Sequence, residues 1–361
     1  MQAILNISLK DIKSNWVALN NASNGKAAAV IKANAYGVGM IKVAKTLMKA
    51  GCNYFYVANL DEGIQLREEL KTKEIKIAIF EGFLKGSEQS YVKYKLTPII
   101  NNLDQLIRLK KLISQGYKIK SILNIDTGMN RLGFKEEEII DAYKQLQAKT
   151  KKIVLMSHFS SAAGTKSSKI NSKKQIDSFN KIEKKLNKMG FKPLLSLCNS
   201  GGLLNYKSSH KDIVRPGVSL YGIDQKEIGN KIDLENVLTF KTKPISIKKV
   251  QKGDKVGYDG KWIANKDSTI AILPVGYADG YPLLMGNNGY VLINGKRAKV
   301  VGKVSMDLTA IDISKIKDVN YESDVILWGK DLPIEKIAQA TKNIPYTIMT
   351  SLSARVKRIY L

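Results

Sequence analysis

Between residues 27 and 222, short apolar runs alternate with longer amphipathic stretches. The amphipathic stretches carry apolar side chains three and four positions apart, as Ile176, Phe179 and Ile182 do, which is the spacing of one helix face. This spacing predicts helices over Asp61–Lys71, Leu103–Gln115, Lys135–Ala148 and Ser172–Met189. The apolar runs predict buried strands, which are Ala27–Asn34, Tyr54–Asn59, Lys76–Glu81, Thr97–Asn101, Ser121–Asp126, Ile153–His158, Leu194–Asn199 and Val214–Leu220.

Strands that are apolar throughout and alternate with helices are typical of a parallel sheet covered by helices, so the fold class is α/β. Eight such repeats within roughly 200 residues predict a closed (β/α)8 barrel of the TIM type. A doubly wound open sheet is the alternative, but most such sheets need fewer units.

Beyond Gly222 the pattern changes to short β-like segments separated by Gly, Asn and Asp. We therefore expect a barrel domain over residues 1–225 and a mostly β C-terminal domain over residues 226–361, with the polar stretch Gly222–Asn236 at the boundary. The first ten or so residues are expected to pack with the C-terminal domain. The predicted elements of this domain are the strands Phe240–Val250, Ser268–Pro274, Gly289–Ile293 and Lys299–Val304 and the helix Ile334–Thr341.

The amino-acid composition is that of a globular protein. A chain of 361 residues that is 44% hydrophobic and 25% charged can bury a large core. The chain has two cysteines, Cys52 and Cys198, and two histidines, His158 and His210. These are too few for a disulfide framework or a multi-histidine metal site, so no metal is expected. The first residues lack a secretory pattern, and no apolar run approaches the ~18 residues of a membrane span, so we expect a cytoplasmic protein without a membrane partner.

The net charge is strongly positive, because 59 Lys and Arg face 32 Asp and Glu and leave +27. Such a surface favours polyanions and raises the possibility of nucleic-acid binding. The lysines of the stretch Lys173–Lys192, however, are interleaved with Asp and Glu and lack exposed aromatic neighbours in a recognisable module. A solvated helix face explains them better, and no nucleic-acid partner is expected.

Reactive side chains stand where the predicted strands end, which is the face that carries the active site of a barrel. Lys32 follows the first strand directly, and burial at the mouth would lower its pKa and make the amine nucleophilic towards a carbonyl. Any single lysine is more often an ordinary surface residue, but this position favours a Schiff base with pyridoxal phosphate. The other strand-end residues are Asn34, Tyr36, Asp126, Thr127, Arg131, His158, Asn199, Ser200, Arg215 and Gly217.

Two glycine-containing loops follow the seventh and eighth predicted strands, Asn199–Gly202 and Arg215–Val218. Loops at these places in barrels often bind phosphate through backbone N–H groups. Either loop alone could be an ordinary turn, but the pair at adjacent strand ends favours a phosphate site.

Eight short motifs then occur in an order and spacing that resemble the pyridoxal-phosphate-dependent alanine racemases of bacteria. The resemblance spans nearly the whole chain, which makes it far more specific than any one motif. The motifs are AVIKANAYGVG, DTGMNRLGF, SHFSSA, CNSGG, VRPGVSLYG, VGYDG, PVGYADGY and VGKVSMD.

The resemblance implies a role for each matched residue. Lys32 would hold the cofactor and act as the base on one face of the substrate Cα, and Tyr258 would be the base on the opposite face, contributed by the second subunit of a homodimer with shared active sites. Arg215 would face the pyridine nitrogen, and a link from Tyr258 through His158 to Arg215 would polarise the phenol. The further cofactor ligands would be Tyr36, Asn199, Ser200, Gly217 and Val218, and the substrate contacts Arg131, Met306 and the entrance residue Tyr277.

Without that resemblance, plainer interpretations hold for several of these residues. Tyr258 would be a half-buried strand tyrosine, His158 a satisfied core histidine and Arg215 a partner in an ion pair at the barrel end. Three positions also depart from the family pattern. Asn124 stands where several members carry a carbamylated lysine that steadies the nearby arginine, so Arg131 would be held by Asn124, an anion or another residue; Val38 replaces a common histidine, and Ala354 replaces a tyrosine and leaves a roomier entrance.

The function implied is racemisation of alanine by two-base proton transfer, supplying D-alanine for peptidoglycan. A broad-spectrum amino-acid racemase is the alternative that Asn124 and Ala354 leave open. A decarboxylase fits less well, because Arg131 would retain the carboxylate. A non-catalytic pyridoxal-phosphate-binding barrel protein is the alternative from a different class, and the β domain with Tyr258 and Met306 argues against it.

Overall fold

The computed structural model describes residues 3–150, 152–162, 165–223 and 232–361. The chain divides into two compact units. The sheet unit comprises Met1–Asp11, Tyr36–Gly39 and Asn236–Leu361, and the barrel unit comprises Ile12–Ala35 and Met40–Glu235. The predicted domain boundary between residues 225 and 226 lies outside the described residues and stays a prediction.

The barrel unit is built on seven strands that pair in chain order, each parallel to the next. With β1 (Ile4–Ile7) in the sheet unit, these strands are β2 Ala29–Val30, β3 Tyr54–Val57, β4 Lys76–Ile79, β5 Thr97–Ile100, β6 Ile122–Asn124, β7 Val154–Met156 and β8 Leu194–Ser196. The helices in this part of the chain are Leu9–Ala22, Met40–Lys49, Leu60–Leu70, Glu88–Lys93, Leu103–Ser114, Glu136–Gln147, Lys166–Lys188 and Ser200–Asn205.

The segment 213–216 closes the ring between β8 and β2. On one side, the backbone N–H groups of Ala28 and Val30 donate to the carbonyls of Val214 and Pro216 at 3.0 and 2.9 Å. On the other side, the N–H of Ile213 donates to the Leu195 carbonyl at 3.1 Å. Every strand of the sheet thus has a neighbour on both sides, and the predicted (β/α)8 class is confirmed.

The predicted strand Val214–Leu220 is wrong beyond Pro216. Val218–Tyr221 forms a 3-10 turn, entered through Gly217. Pro216 has no N–H to continue a strand ladder, which is the physical reason the extended segment stops there. The apolar side chains of the turn are buried, so they look like strand residues in the sequence.

Two other predicted elements change their limits. The first strand is short because Lys32–Tyr36 turns with left-handed backbone angles. The helix predicted from Ser172 begins instead at Lys166, because the hydroxyl of Thr165 accepts a hydrogen bond from the Ser168 N–H at 3.2 Å and caps it.

The interior of the barrel is filled by alternating inward side chains of the strands, as in other barrels of this size. Tyr56, Ile99 and Ile122 are fully buried there. The buried cluster contains Ala28, Val30, Tyr54, Tyr56, Ala78, Ile99, Ile122, Val154 and Met156. The barrel is therefore a packed core, and chemistry is confined to its rim.

The sheet unit contains a nine-stranded sheet in the order β10-β13-β16-β15-β14-β17-β9-β1-β18. β1 pairs antiparallel with β9 and parallel with β18, so both ends of the chain lie in one sheet. The remaining strands are β9 Leu238–Thr242, β10 Ser246–Val250, β11 Lys255–Val256, β12 Trp262–Ile263, β13 Ser268–Leu273, β14 Tyr290–Ile293, β15 Lys296–Val301, β16 Thr309–Asp312, β17 Val325–Trp328 and β18 Lys357–Tyr360.

Two predicted strands in this unit need correction. Lys299–Val304 is displaced, because β15 runs from Lys296 to Val301 and ends before Gly302. Phe240–Val250 is not one strand but parts of β9 and β10, which are interrupted before Ser246 around Pro244. The helix predicted over Ile334–Thr341 forms over Ile334–Ala340. The short helix Pro345–Thr350 was not predicted, because one and a half turns leave too little periodicity to detect. Among the described residues, no helix combines the length and apolarity needed to cross a bilayer.

Replacing Gly37 by alanine tests the backbone next to the left-handed turn. Gly37 has φ +83°, and a Cβ there would lie 2.5 Å from the Met349 carbonyl oxygen. Gly25 has a similar φ of +77° with nothing within 4 Å, so Gly25→Ala is the matched control. We expect Gly37→Ala to lower the free energy of unfolding by about 2 kcal/mol more than Gly25→Ala does in urea titrations. Equal losses would contradict the close packing at Gly37.

Candidate active site

Lys32 stands at the start of a left-handed turn that redirects the chain at the end of β2. Ala33, Asn34 and Ala35 have φ between 51° and 55°, a region that costs an L-residue roughly 1–2 kcal/mol. Two contacts of Asn34 offset that cost. Its N–H donates to Glu62 Oε1 at 3.2 Å, and its side-chain oxygen accepts from the Met40 N–H at 2.8 Å.

The Lys32 amine lies in a partly buried, positively charged surrounding. Its Nζ is 5.4 Å from the centroid of the Phe80 ring. Burial lowers the pKa of Lys32, and the positive charge of Arg131 lowers it further, while the Glu62 carboxylate opposes both effects. A lowered pKa increases the fraction of neutral amine, which is the nucleophilic form.

Arg215 is 2% exposed and places its guanidinium among the ends of β7 and β8. Nη1 donates to the Ser196 hydroxyl, and Nη2 donates to the carbonyls of Ser157 at 2.6 Å and Leu197 at 3.3 Å. Nε is buried as well, and no described atom accepts a hydrogen bond from it. A buried N–H donor without an acceptor fits a ligand that offers a lone pair, such as the ring nitrogen of a pyridine.

His158 lies among the cationic groups. Its Nδ1 faces Arg215 Nη2 at 3.5 Å and its Nε2 faces Asn199 Nδ2 at 3.4 Å. Burial, followed by the charges of Arg215, Arg131 and Lys32, lowers the pKa of His158 to about 3. The imidazole is therefore neutral at physiological pH, and Arg215, Arg131 and Lys32 all lie close enough to His158 for their charges to affect its pKa.

The loops after β8 and after the closing segment meet at the Ser200 hydroxyl. Its oxygen accepts from the Gly217 N–H at 2.9 Å, the Ser219 N–H at 3.3 Å and the Ser219 hydroxyl at 3.0 Å. Val218 between them is buried. The two loops therefore gather three donors at one point, where a phosphate oxygen could replace the Ser200 hydroxyl as their acceptor.

The helix Ser200–Asn205 begins in this cluster because Asn199 caps it, its side-chain oxygen accepting from the Gly202 N–H at 2.9 Å. Glycine is required next to the cap. A Cβ on Gly201 would lie 2.8 Å from the Ala162 carbonyl oxygen, and one on Gly202 would lie 2.6 Å from the Phe159 ring. Asn199 thus serves the site through the backbone it holds as well as through its contact with His158.

Arg131 lies exposed in the loop that follows β6. Asn124 Nδ2 donates to the Leu132 carbonyl at 3.2 Å and to Asn101 Oδ1 at 2.8 Å. Asn124 was one of the partners expected for Arg131. Its side chain holds the backbone of the loop at the next residue, Leu132. Asp126 Oδ1 supports the same loop by accepting from the Gly128 and Met129 N–H groups at 2.8 and 2.9 Å.

The remaining predicted residues belong to the sheet unit. Tyr258, Tyr277 and Met306 are 69%, 46% and 53% exposed. Large side chains of these types are more often buried. Tyr277 and Met306 sit on neighbouring loops, since the Tyr277 N–H donates to the Ser305 carbonyl at 3.1 Å. Burial raises the pKa of Tyr36 to about 12, so its phenol keeps its proton and remains a donor.

Sequence reasoning missed Ser157, Ser196 and Glu62. The first two bind the Arg215 guanidinium, and Glu62 supports the turn after Lys32. Ser196 does carry a signal, because it is a fully buried hydroxyl inside an otherwise apolar strand run. Glu62 carries none, since it resembles any acidic residue in the first turn of a helix.

Comparison with known proteins agrees with the geometry. Residues 7–225 match the family model described as alanine racemase, N-terminal domain, and residues 237–360 match the model of the C-terminal domain. A protein named alanine racemase from Thermodesulfovibrio yellowstonii is 37% identical over 366 residues, and the match covers 98% of this chain and 96% of that protein. A protein of the same name from Halothermothrix orenii is 34% identical over 367 residues, and the match covers 99% of this chain and 96% of that protein.

Solved structures give the same result. The crystal structure of alanine racemase from Bartonella henselae with covalently bound pyridoxal phosphate superposes with a TM-score of 0.93 at 31% identity, and the match covers 100% of both chains. The biosynthetic alanine racemase from Pseudomonas aeruginosa superposes with a TM-score of 0.90 at 29% identity, again over 100% of both chains.

The low pKa of His158 predicts a loss of stability in mild acid. The unfolded chain protonates this histidine near pH 6.5, whereas the folded chain does so only near pH 3, so between these values the unfolded state binds more protons. The contribution is fully present above pH 6.5 and is lost, at up to about 1.4 kcal/mol per pH unit, as the pH falls. Urea titrations from pH 7.5 to 5 should show this slope in the wild type relative to His158→Gln. Parallel curves for the two proteins would contradict it.

Proposed function

The chain belongs to the alanine racemase family, and from this membership we propose that it is a pyridoxal-phosphate-dependent enzyme that interconverts L-alanine and D-alanine. The observation that carries the proposal is the group of side chains at one rim of the barrel. Arg215 Nη2 faces His158 Nδ1 at 3.5 Å, Asn199 Nδ2 faces the other ring nitrogen at 3.4 Å, and the Arg215 Nε–H lacks an acceptor among the described residues. Alanine is the proposed substrate because the similar proteins are named for it.

Pyridoxal phosphate fits the groups that the barrel unit presents. Lys32 supplies the amine for covalent attachment, and Arg215 Nε supplies a donor for the ring nitrogen. Ser200, Gly217 and Val218 would hold the phosphate, and Asn199 and His158 would complete the contacts within the barrel unit. Tyr36, which belongs to the sheet unit, is a further proposed ligand. When bound, the cofactor supplies the electron sink that makes the Cα–H of an amino acid acidic enough to transfer.

Arg215 limits how far that sink operates. A guanidinium donates a hydrogen bond but does not readily give up its proton, even where burial lowers its pKa as it does here. Arg215 would therefore hold the ring nitrogen by a hydrogen bond without giving up a proton to it, and this favours return of the substrate proton over side reactions such as transamination.

Racemisation requires a base on each face of the substrate, because the proton leaves from one side and returns on the other. Lys32, with its lowered pKa, can remove or return a proton at one face. We assign the other face to the Tyr258 phenol oxygen. A phenol has an ordinary pKa near 10, and the polarisation it needs would come through the neutral imidazole of His158, which the Arg215 guanidinium faces at 3.5 Å.

We further propose that the enzyme is a homodimer in which Tyr258, Tyr277 and Met306 of each chain complete the site of the other. This is supported by their exposure, since a single chain leaves these side chains 69%, 46% and 53% accessible. Other exposed apolar residues of the sheet unit would be covered by the same contact, among them Ile263, Leu283, Leu284 and Leu308.

The substrate carboxylate would be clamped by the Arg131 guanidinium and the Met306 backbone N–H. A carboxylate held by charge-assisted hydrogen bonds is kept in place and is not lost as carbon dioxide, which favours racemisation over decarboxylation. The role proposed for the reaction is supply of D-alanine for peptidoglycan in the cytoplasm.

Lys32→Ala tests the attachment. We expect the purified wild type, supplemented with pyridoxal phosphate, to show the visible absorbance of a Schiff base, and the variant to lose both this band and racemase activity. Lys42→Ala, on a neighbouring helix, is the control and should keep both. A folded wild type with no such band would overturn the proposed mechanism.

Tyr258→Phe tests the two-base assignment. Removing the phenol oxygen should suppress solvent-deuterium exchange at Cα by at least about 100-fold when one alanine enantiomer is supplied, and far less with the other. Tyr290→Phe, a tyrosine of the same unit in β14, serves as the control. Equal, mild losses with both enantiomers would rule Tyr258 out as a face-specific base.

A further inference from the structure

Gln175 is a buried glutamine that uses every hydrogen-bonding position of its side chain. It lies on the helix Lys166–Lys188 and is 3% exposed. Oε1 accepts from the N–H and the hydroxyl of Ser160, at 2.9 and 3.0 Å. Nε2 donates to the His158 carbonyl at 3.0 Å and to Thr127 Oγ1 at 3.2 Å. A carboxamide has two acceptor sites and two N–H donors, and all four are satisfied.

The partners of Gln175 belong to two different loops. Ser160 and His158 follow β7, whereas Thr127 begins the loop after β6 that carries Arg131. A second bond closes the connection, since Thr127 Oγ1 lies 2.8 Å from Ser157 Oγ. Gln175 therefore connects the loop that carries Arg131 to the segment that carries His158.

The far end of the arginine loop is held separately. Asn124 Nδ2 donates to the Leu132 carbonyl, and the Phe134 N–H donates to the Asn124 carbonyl at 2.9 Å. Between these two ends, Arg131 and Leu132 are exposed. The Arg131 position thus depends on several anchors along the loop, which include the Asp126 carboxylate at Gly128 and Met129, and the anchor next to His158 is Gln175.

We propose that Gln175 is a positioning residue that fixes the Arg131 loop relative to His158, and so sets how well the site binds the substrate carboxylate. This rests on the proposed racemase function. Gln175 itself is not proposed to contact the substrate. It acts through Thr127 on the loop and through the His158 carbonyl on the segment after β7.

The chemistry of the site requires an amide at this position. A glutamate of the same shape would replace the N–H donor by an oxygen facing the His158 carbonyl, so two acceptors would oppose each other. A methionine would keep most of the volume but leave the Ser160 N–H and the His158 carbonyl without that partner. Both substitutions should loosen the loop without emptying the core.

The kinetic test uses Gln175→Met and Gln175→Glu in the cofactor-loaded enzyme. Because Arg131 would grip the carboxylate throughout the reaction, loosening it should raise KM by about tenfold while kcat changes less than about threefold. The carboxylate is common to both enantiomers, so KM should rise equally for L-alanine and D-alanine. A fall in kcat with KM unchanged would overturn the proposal.

The structural test does not depend on activity. Amide hydrogen exchange of residues 127–134 should be faster by about tenfold or more in Gln175→Met than in the wild type. If the wild type fails to racemise alanine, the proposed function falls, while this measurement still decides whether Gln175 anchors the loop. Unchanged exchange in the loop would overturn the positioning role.

Ser172→Ala is the matched control. Ser172 is buried one turn earlier on the same helix, and its hydroxyl donates to the Ser161 carbonyl, so it holds the segment after β7 without touching the Arg131 loop. We expect it to lower stability but to leave KM and the exchange of residues 127–134 unchanged. A KM rise in Ser172→Ala equal to that in Gln175→Met would reduce Gln175 to a general stabilising residue.

Thr127→Val tests whether Gln175 affects the Arg131 loop through the Thr127 hydroxyl. If Gln175 acts on the arginine through Thr127, the KM changes of Thr127→Val and Gln175→Met should not add in the double variant. Additive effects would contradict transmission through Thr127.

Discussion

The arrangement of the barrel rim depends on one buried positive charge, the Arg215 guanidinium. Removing such a group from water is costly unless its N–H groups find acceptors. The acceptors are the Ser196 hydroxyl and the carbonyls of Ser157 and Leu197, at the ends of β7 and β8. Arg215 itself lies on the segment that closes the barrel against β2. The segment that closes the ring therefore also brings the two Nη groups to their acceptors and places the guanidinium beside His158, while the Nε–H stays without an acceptor among the described residues.

The second constraint is the left-handed turn after Lys32. Several residues in unfavourable φ store backbone strain next to the reactive amine, and strain of this kind persists only where the surroundings determine it. Here Glu62 and the side chain of Asn34 do so. The turn ends the first strand abruptly, and as a result the Lys32 amine stays at the rim, close enough to Arg131 for that charge to lower its pKa.

The sequence was sufficient to predict elements whose evidence is local. Apolar runs at strand length and helices with a regular apolar face could be recognised, and the barrel class followed from their number. Val214–Leu220 was misassigned because a buried 3-10 turn and a buried strand have the same composition. The roles of Ser196 and Gln175 could not be read locally, since their partners lie 19 and 48 residues away in the chain, at Arg215 and Thr127. Tyr258 is a proposed base through family resemblance alone. The plainer interpretation of it as a half-buried strand tyrosine was wrong, since it lies in the 3-10 turn Tyr258–Gly260 and is exposed.

The positive charges at the barrel rim indicate which ligands the site would bind, whereas the net charge of +27 for the whole chain does not. Lys32, Arg131 and Arg215 all act to keep His158 neutral, and Arg131 also lowers the pKa of Lys32. Glu62 is the carboxylate that opposes this at Lys32, and it is already engaged by the N–H groups of Ala58 and Asn34. An excess of positive charge at the rim favours the binding of anions. The anions would be a phosphate at the Ser200 loops and a carboxylate at Arg131. Binding of the proposed cofactor and substrate would therefore reduce the repulsion among Lys32, Arg131 and Arg215. Because these ligands would bind only the folded chain, they would also raise its free energy of unfolding.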